Sequence, residues 1–150
     1  MYLKKGCDRM DNRTNGGRFE QELAEILFKH GFWAHVMQQN KAGQPSDIIA
    51  VKGKYHTLID GKVVSDNEGF PFSRIEENQR SAMHMFTKRG GELCYFAIKL
   101  PDETVWFVSL SRLETLESRG KKRLTDDEIR KQTWSLESWL KSSDDWSKDI

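Results

Sequence analysis

One stretch restricts the fold of this chain more than any other. Residues 47–62 read Asp-Ile-Ile-Ala-Val-Lys-Gly-Lys-Tyr-His-Thr-Leu-Ile-Asp-Gly-Lys, two runs rich in β-branched and aromatic residues around Lys52-Gly53-Lys54. That pattern is a β-hairpin. With Gly53-Lys54 as a two-residue loop, glycine at the first central position suits a type II′ turn. Counting outward sets the pairing: Lys52 opposite Tyr55, Val51 opposite His56, and so Asp47 opposite Asp60. Directly opposed residues hold their Cβ atoms about 5 Å apart, and like charges placed there repel. Two such carboxylates need a cation, or one must stay protonated. Lys62 follows Asp60 by two residues and projects from the same face. Two acids and an amine therefore meet at one end of a hairpin. Hard oxygen donors for a divalent ion, with an ammonium beside a developing negative charge, are what metal-assisted phosphodiester cleavage requires. An ordinary solvated strand edge can carry the same Asp-x-Lys spacing, so the flanking segments must decide.

Those segments describe an α/β domain. Residues 17–30 put Phe19, Leu23, Ile26, Leu27 and His30 on one helical stripe, with Gly31 as the stop. Glu20 falls in the expected first turn, where a carboxylate is favourable with the helix dipole whatever else it does. Residues 32–37 read as a strand and 38–46 as a polar loop into the hairpin. After a second polar loop at 65–71, Ser73-Arg74-Ile75-Glu76 has the form of a capping box that opens a helix over 73–89. Ile75, Ala82, Met83 and Phe86 make its apolar stripe, and Gln79 stands within that stripe. A buried amide needs partners. Gln79 is either a satisfied core residue or points into a site lined by the hairpin.

Residues 92–99 are nearly continuous apolar, as for a central strand covered on both faces. The next strand is 104–110, and Ser111 caps a short helix to residue 118. A basic loop follows at 120–123. Trp134, Leu136, Trp139, Leu140 and Trp146 then lie among charges. They read either as a short helix and tail packed on the domain or as a dimer surface rich in aromatics. The expected architecture is α/β, a mixed β-sheet of about five strands flanked by helices. Residues 1–17 form a flexible basic arm, 18–110 the core, and 111–150 a C-terminal helical extension of the same domain.

A length of 150 residues fits one domain. The net charge is only +1, so a polyanion site has to be a local patch. Cys7 and Cys94 are far apart and read as reduced thiols. No stretch approaches the roughly 18 apolar residues of a membrane span, and no signal peptide is visible. A soluble cytoplasmic protein is expected.

Six blocks carry a resemblance: Gly17-Arg18-Phe19-Glu20, Gly31-Phe32, Pro45-Ser46-Asp47-Ile48-Ile49-Ala50, Leu58-Ile59-Asp60-Gly61-Lys62, Phe70-Pro71-Phe72-Ser73 and Glu77-Asn78-Gln79. In this order they resemble the PD-(D/E)xK nuclease superfamily, the fold of type II restriction enzymes. Within it the chain is similar to Holliday-junction resolvases of the RecU and archaeal Hjc types. The resemblance spans residues 16–99. It implies a restriction-endonuclease-like core and a metal-dependent, structure-specific endonuclease that hydrolyses branched DNA, such as four-way junctions, during recombination. By the same resemblance, Asp47, Asp60, the backbone carbonyl of Gly61 and Glu20 would hold Mg2+ or Mn2+. Lys62 would position or activate the attacking water and stabilise the pentacovalent phosphate. Gln79 would hydrogen-bond the water, Lys62 or the scissile phosphate. A glycine at 61 adds no side-chain clash against an approaching phosphate.

Arg18, Lys52 and Lys54 are the candidate DNA contacts. Symmetric cutting of two strands implies a two-fold homodimer. A small stand-alone resolvase would suit a phage or prophage recombination module. Ser46 stands where the motif usually has proline, and Asp60 where glutamate is commoner. The 38–46 loop is too short for a RecU-type stalk, which favours a compact, Hjc-like module. Two rival readings are a restriction- or repair-type nuclease on duplex, flap or single-stranded DNA, and a non-catalytic binding module of the same fold. The latter predicts damage to the acid set, whereas Glu20, Asp47, Asp60 and Lys62 are all present.

Overall fold

The computed structural model describes residues 12–38 and 46–146, with side chains from residue 17 onward. In chain order the elements are α1 (Asn12–Lys29), β1 (Trp33–Val36), β2 (Ile48–Lys52), β3 (Tyr55–Val63), β4 (Phe70–Pro71), a 3-10 turn (Phe72–Arg74) and α2 (Glu77–Lys88). There follow β5 (Tyr95–Lys99), β6 (Val105–Ser109), α3 (Leu110–Ser118), β7 (Arg123–Leu124), α4 (Asp126–Gln132), β8 (Trp134–Ser135) and α5 (Leu136–Trp146).

The hairpin has the counted register. Lys52 pairs with Tyr55, Val51 with His56 and Ile48 with Ile59. Gly53 has φ +60° and Lys54 is not among the described residues with positive φ, which is the type II′ arrangement. The main sheet is mixed and has six strands, in the order β1-β2-β3-β5-β6-β8. Strands β1, β2 and β3 run as an antiparallel meander. Strand β5 lies parallel to β3, reached through α2, and β6 and β8 continue antiparallel. A separate two-stranded ribbon joins β4 to β7.

Side chains alternate across a strand, so the sheet builds two cores. On one face Phe19, Leu23 and Leu27 of α1 and Trp139 and Leu140 of α5 cover Ile48, Ile59, Tyr95, Ala97 and Phe107. On the other, Met83 of α2 and Leu113 and Leu116 of α3 cover Leu58, Phe96, Ile98 and Val108. Strand β5 faces both cores, which is why Tyr95 to Ile98 are apolar without alternation.

Three boundaries differ from the sequence reading. Helix α1 begins at Asn12, so residues 12–17 of the expected arm are helical; residues 1–11, Cys7 among them, lie outside the described residues. Glu20 therefore sits more than two turns inside the helix, and the first-turn dipole explanation for it does not hold. Helix α2 opens at Glu77, capped by Glu76 and not by Ser73. The reason is the β4–β7 ribbon: it holds Phe70 and Pro71 extended, and the Phe72 N–H donates to the Lys122 carbonyl at 2.9 Å. Helix α3 is capped by Ser109, two residues before Ser111, its Oγ accepting from the Arg112 N–H at 3.0 Å.

The C-terminal third adds a sixth strand, where about five were expected, and a core residue. Trp139 is fully buried and stacks on Phe107 (4.3 Å between centroids) and Phe32 (5.6 Å). Of the two readings for this segment, packing on the domain is the one Trp139 satisfies. Trp134 is 43% exposed. Cys94 is a buried free thiol. No helix among the described residues is long and apolar enough to cross a membrane. Truncating a fully buried aromatic removes both transfer energy and packing. Trp139→Ala is expected to cost about 3–5 kcal/mol in urea unfolding, and Trp134→Ala less than about 1 kcal/mol. Equal losses at the two positions would contradict this packing.

Candidate active site

The last pair of the β2–β3 ladder is Ile48 with Ile59, and one further step sets Asp47 beside Asp60. Both carboxylates are buried, Asp47 at 6% and Asp60 at 1% exposure. The Met37 N–H donates to the Asp47 carbonyl at 2.8 Å, and Ser46 Oγ donates to the Ile48 carbonyl at 3.1 Å. Buried Ser46 thus stiffens the entry to β2 where the family motif uses proline.

Each carboxylate is held by named donors. Asp47 Oδ2 accepts from the Gly61 N–H at 2.8 Å. Asp60 Oδ1 accepts from Gln79 Nε2 at 2.8 Å, and Asp60 Oδ2 lies 3.0 Å from Lys62 Nζ. Lys62 also donates to Gln79 Oε1 at 3.4 Å and to the Arg74 carbonyl at 3.3 Å. Gln79 Oε1 in addition accepts from the Glu76 N–H at 3.4 Å, so the amide caps α2 while its other end grips Asp60. The two readings for Gln79 merge: it is a satisfied buried amide, and it points at the site. Glu20 comes from α1 on the other side of the sheet and lies within hydrogen-bonding reach of Asp47.

The electrostatics follow from burial and crowding. Desolvation pushes the Asp60 carboxyl up to about 7, although the Lys62 ammonium pulls it down. Desolvation and then the Glu20 charge push Asp47 up to about 6. Glu20 is raised as well, mainly by burial. Three carboxylates face one ammonium, so full ionisation leaves an excess of two negative charges. Two opposed acids required a cation or a proton here; among the described residues Lys62 supplies a cation, and its single charge does not balance the three carboxylates.

Among the described residues no three His, Cys, Asp or Glu side chains are placed together to hold a metal ion. A small hard divalent ion does not need three, because Mg2+ is commonly held by one or two carboxylates together with water and substrate phosphate oxygens. The donor set and its uncompensated charge fit such an ion. Gly61 contributes in two ways. In a strand the N–H and C=O of one residue point to the same edge, so the Gly61 carbonyl faces the Asp47 side with its N–H. A Cβ at Gly61 would lie 3.1 Å from the Phe19 ring. The space expected there for a phosphate is filled, on that side, by Phe19, a contact between distant segments that no local pattern announces.

The candidate DNA contacts separate. Arg18 lines a hollow of about 410 Å³ with Val63, Val64 and Lys99, just past the end of the Asp60–Lys62 strand. Lys52 is tied elsewhere: its Nζ donates to Asp144 at 2.6 Å and to Ser143 at 3.2 Å, and it stands 5.2 Å over the Phe32 ring. It clamps the hairpin to α5. With Lys54 it sits at the turn end of the hairpin, about 17 Å from Asp47 at 3.3 Å per residue. Lys52 is thus engaged within the fold, at the opposite end of the hairpin from the two carboxylates.

A sequence model of the archaeal Holliday junction resolvase (Hjc) family matches residues 11–145. The chain belongs to that family. Hjc membership covers the C-terminal third as well as the residues that carried the sequence resemblance. The fold is similar to that of Archaeoglobus fulgidus Hjc, a Holliday junction resolvase from an archaeal hyperthermophile. The TM-score is 0.65 at 22% identity, over 83% of this chain and 99% of that one. No curated protein sequence matches the chain. As an Hjc-family member, the protein is a structure-specific nuclease that acts on DNA junctions.

The raised carboxyls have a consequence for stability. The folded protein holds their protons more tightly than the unfolded chain, in which an aspartate titrates near pH 4. Their contribution favours folding below about pH 4 and is lost as pH rises through about 6 to 7. Asn at position 47 keeps an acceptor for the Gly61 N–H and removes the repulsion. In EDTA, Asp47→Asn is expected to be more stable than the parent at pH 8 by about 1–2 kcal/mol, with the difference vanishing near pH 4. Thermal unfolding at the two pH values measures it. A parent that is the more stable at pH 8 would contradict the electrostatic account.

Proposed function

We propose that this protein resolves four-way DNA junctions by divalent-metal-assisted hydrolysis at the Asp47–Asp60–Lys62 site, acting as a two-fold homodimer in the cytoplasm. The observation that carries the reading is the buried carboxylate pair, whose excess negative charge one ammonium does not offset. Asp47, Asp60 and the Gly61 carbonyl would hold Mg2+ or Mn2+, with Glu20 joining directly or through water. The ion, when bound, would polarise a phosphoryl oxygen and lower the pKa of a bound water.

The chain's own groups prepare the reaction. The Gly61 N–H fixes one oxygen of Asp47. Gln79 fixes Asp60 and Lys62 together, so acid and ammonium keep one mutual orientation. Lys62 is half-buried and held by three acceptors, and it places a positive charge at the rim where a pentacovalent phosphate would gather negative charge. Gln79 is close enough to Lys62 to orient a water or the scissile phosphate beside it. Symmetric resolution needs two such sites related by a two-fold axis, hence the homodimer.

The deciding experiment is cleavage of a synthetic four-way junction with Mg2+, comparing the parent with Asp60→Asn and Lys62→Ala. The parent is expected to cut and EDTA to abolish cutting. Each variant should lose about 10²–10³ in rate while still binding the junction. Equal cutting by all three would remove the site assignment, and cutting that survives EDTA would remove the metal.

A further inference from the structure

A second charged surface lies behind the wall of the active site. A groove of about 670 Å³ opens between residues 71–75 and the loop 120–123, lined by Arg80, Lys121, Lys122 and Arg123 against a single acid, Glu117. Not all of these cations are available. Arg80 is paired with Glu114 at 2.7 Å and Glu117 at 3.0 Å, and Lys121 with Glu128 at 2.7 Å. Arg123 donates to the Glu68 carbonyl at 2.7 Å, a neutral acceptor that leaves its charge intact. Lys122 has no ion pair among the described residues. The uncompensated positive charge is thus carried by Lys122 and Arg123, both exposed. In a chain of net charge +1, such a local excess is what a polyanion would find.

A solvated run of basic residues would be loose; this one is pinned at every step. Gly120, with φ +91°, ends α3, its N–H donating to the Glu117 carbonyl at 2.9 Å. The Lys121 N–H returns to the Leu116 carbonyl at 3.1 Å. The Lys122 carbonyl accepts from the Phe72 N–H at 2.9 Å, and Arg123 pairs with Pro71 in the β4–β7 ribbon. The next residue, Leu124, is fully buried. The same 71–75 segment touches the active site from its other side. The Arg74 carbonyl accepts from Lys62 Nζ at 3.3 Å, and Arg74 Nη1 donates to the Val63 carbonyl at 2.9 Å. One chain segment therefore separates Lys62 from the basic groove.

We propose that Lys122 and Arg123 bind the sugar–phosphate backbone of the DNA arm that leaves the active site past Lys62. The inference rests on the proposed site at Asp60 and Lys62 and extends it. Backbone contacts of this kind position a duplex without reading its sequence, which suits a substrate recognised by its branching. A DNA ligand is favoured over an acidic peptide because the groove lies only one chain segment, residues 71–75, away from Lys62 in the site of a junction nuclease.

The test is fluorescence anisotropy of a labelled four-way junction in EDTA over a salt series. It compares the parent, the pairs K122Q/R123Q and K122E/R123E, and K29E/K141E, which makes the same charge change as the second pair on the α1–α5 face. Each phosphate contact contributes about 0.9 to the slope of log affinity against log salt. The Gln pair is expected to flatten that slope by about 2 and to weaken binding roughly tenfold. The Glu pair should weaken it further, and K29E/K141E should keep the parental slope. Parental affinity and slope in both groove variants, or an equal loss in K29E/K141E, would overturn the proposal. Lys62→Ala separates the two readings: full cutting by that variant sinks the active-site assignment, whereas groove variants that bind and cut like the parent sink the groove alone.

Discussion

The structure depends on an interaction that is unfavourable by itself, the approach of two carboxylates on neighbouring strands where water cannot solvate them well. Asp47 and Asp60 are brought together one step beyond the Ile48–Ile59 pair that ends the β2–β3 ladder. The cost of burying them is met by packing on both sheet faces and by donors placed one by one: the Gly61 N–H, the Gln79 amide and the Lys62 ammonium. Those donors orient the acids without neutralising them. What remains is a preorganised negative site with the hard oxygen donors that a divalent ion requires.

Helix α2 shows how fold and site share residues. Gln79 stands at the third helical position, where its carbonyl oxygen accepts from the cap residue's N–H, and that position aims its NH2 at Asp60. The β4–β7 ribbon holds Phe70 and Pro71 extended, and the 3-10 turn that follows brings the Arg74 carbonyl to Lys62. The C-terminal third takes part in this arrangement: β7 supplies one strand of the ribbon, and α5 supplies Trp139 to the core beneath β5 and β6. The family match over residues 11–145 is in keeping with a region that supports the site physically.

How much of this was legible in the sequence differs by kind of contact. The hairpin register followed from a two-residue loop and a period of two, because slipping by one residue would turn every side chain over. The double burial of β5 followed from its unbroken apolar run. The start of α1 did not, because the Gly16-Gly17 pair looks like a boundary and tertiary packing overrides that weak preference. The error carried over to Glu20, whose setting beside Asp47 depends on how far α1 extends. The Phe19 ring against Gly61 and the Lys52–Asp144 ion pair join segments 42 and 92 residues apart, and nothing local signals either. Trp139 could be placed on a helix face but not assigned to core or surface, since this segment has aromatics in both settings, Trp139 buried in α5 and Trp134 exposed in β8.

The proposal at the centre of this account is that Asp47 and Asp60 would hold a divalent ion. Anomalous diffraction from a crystal soaked in Mn2+ tests it most directly. The account predicts a peak beside the carboxylates of Asp47 and Asp60. A peak elsewhere on the molecule, with Asp60 still held by Lys62 and Gln79 alone, would contradict it.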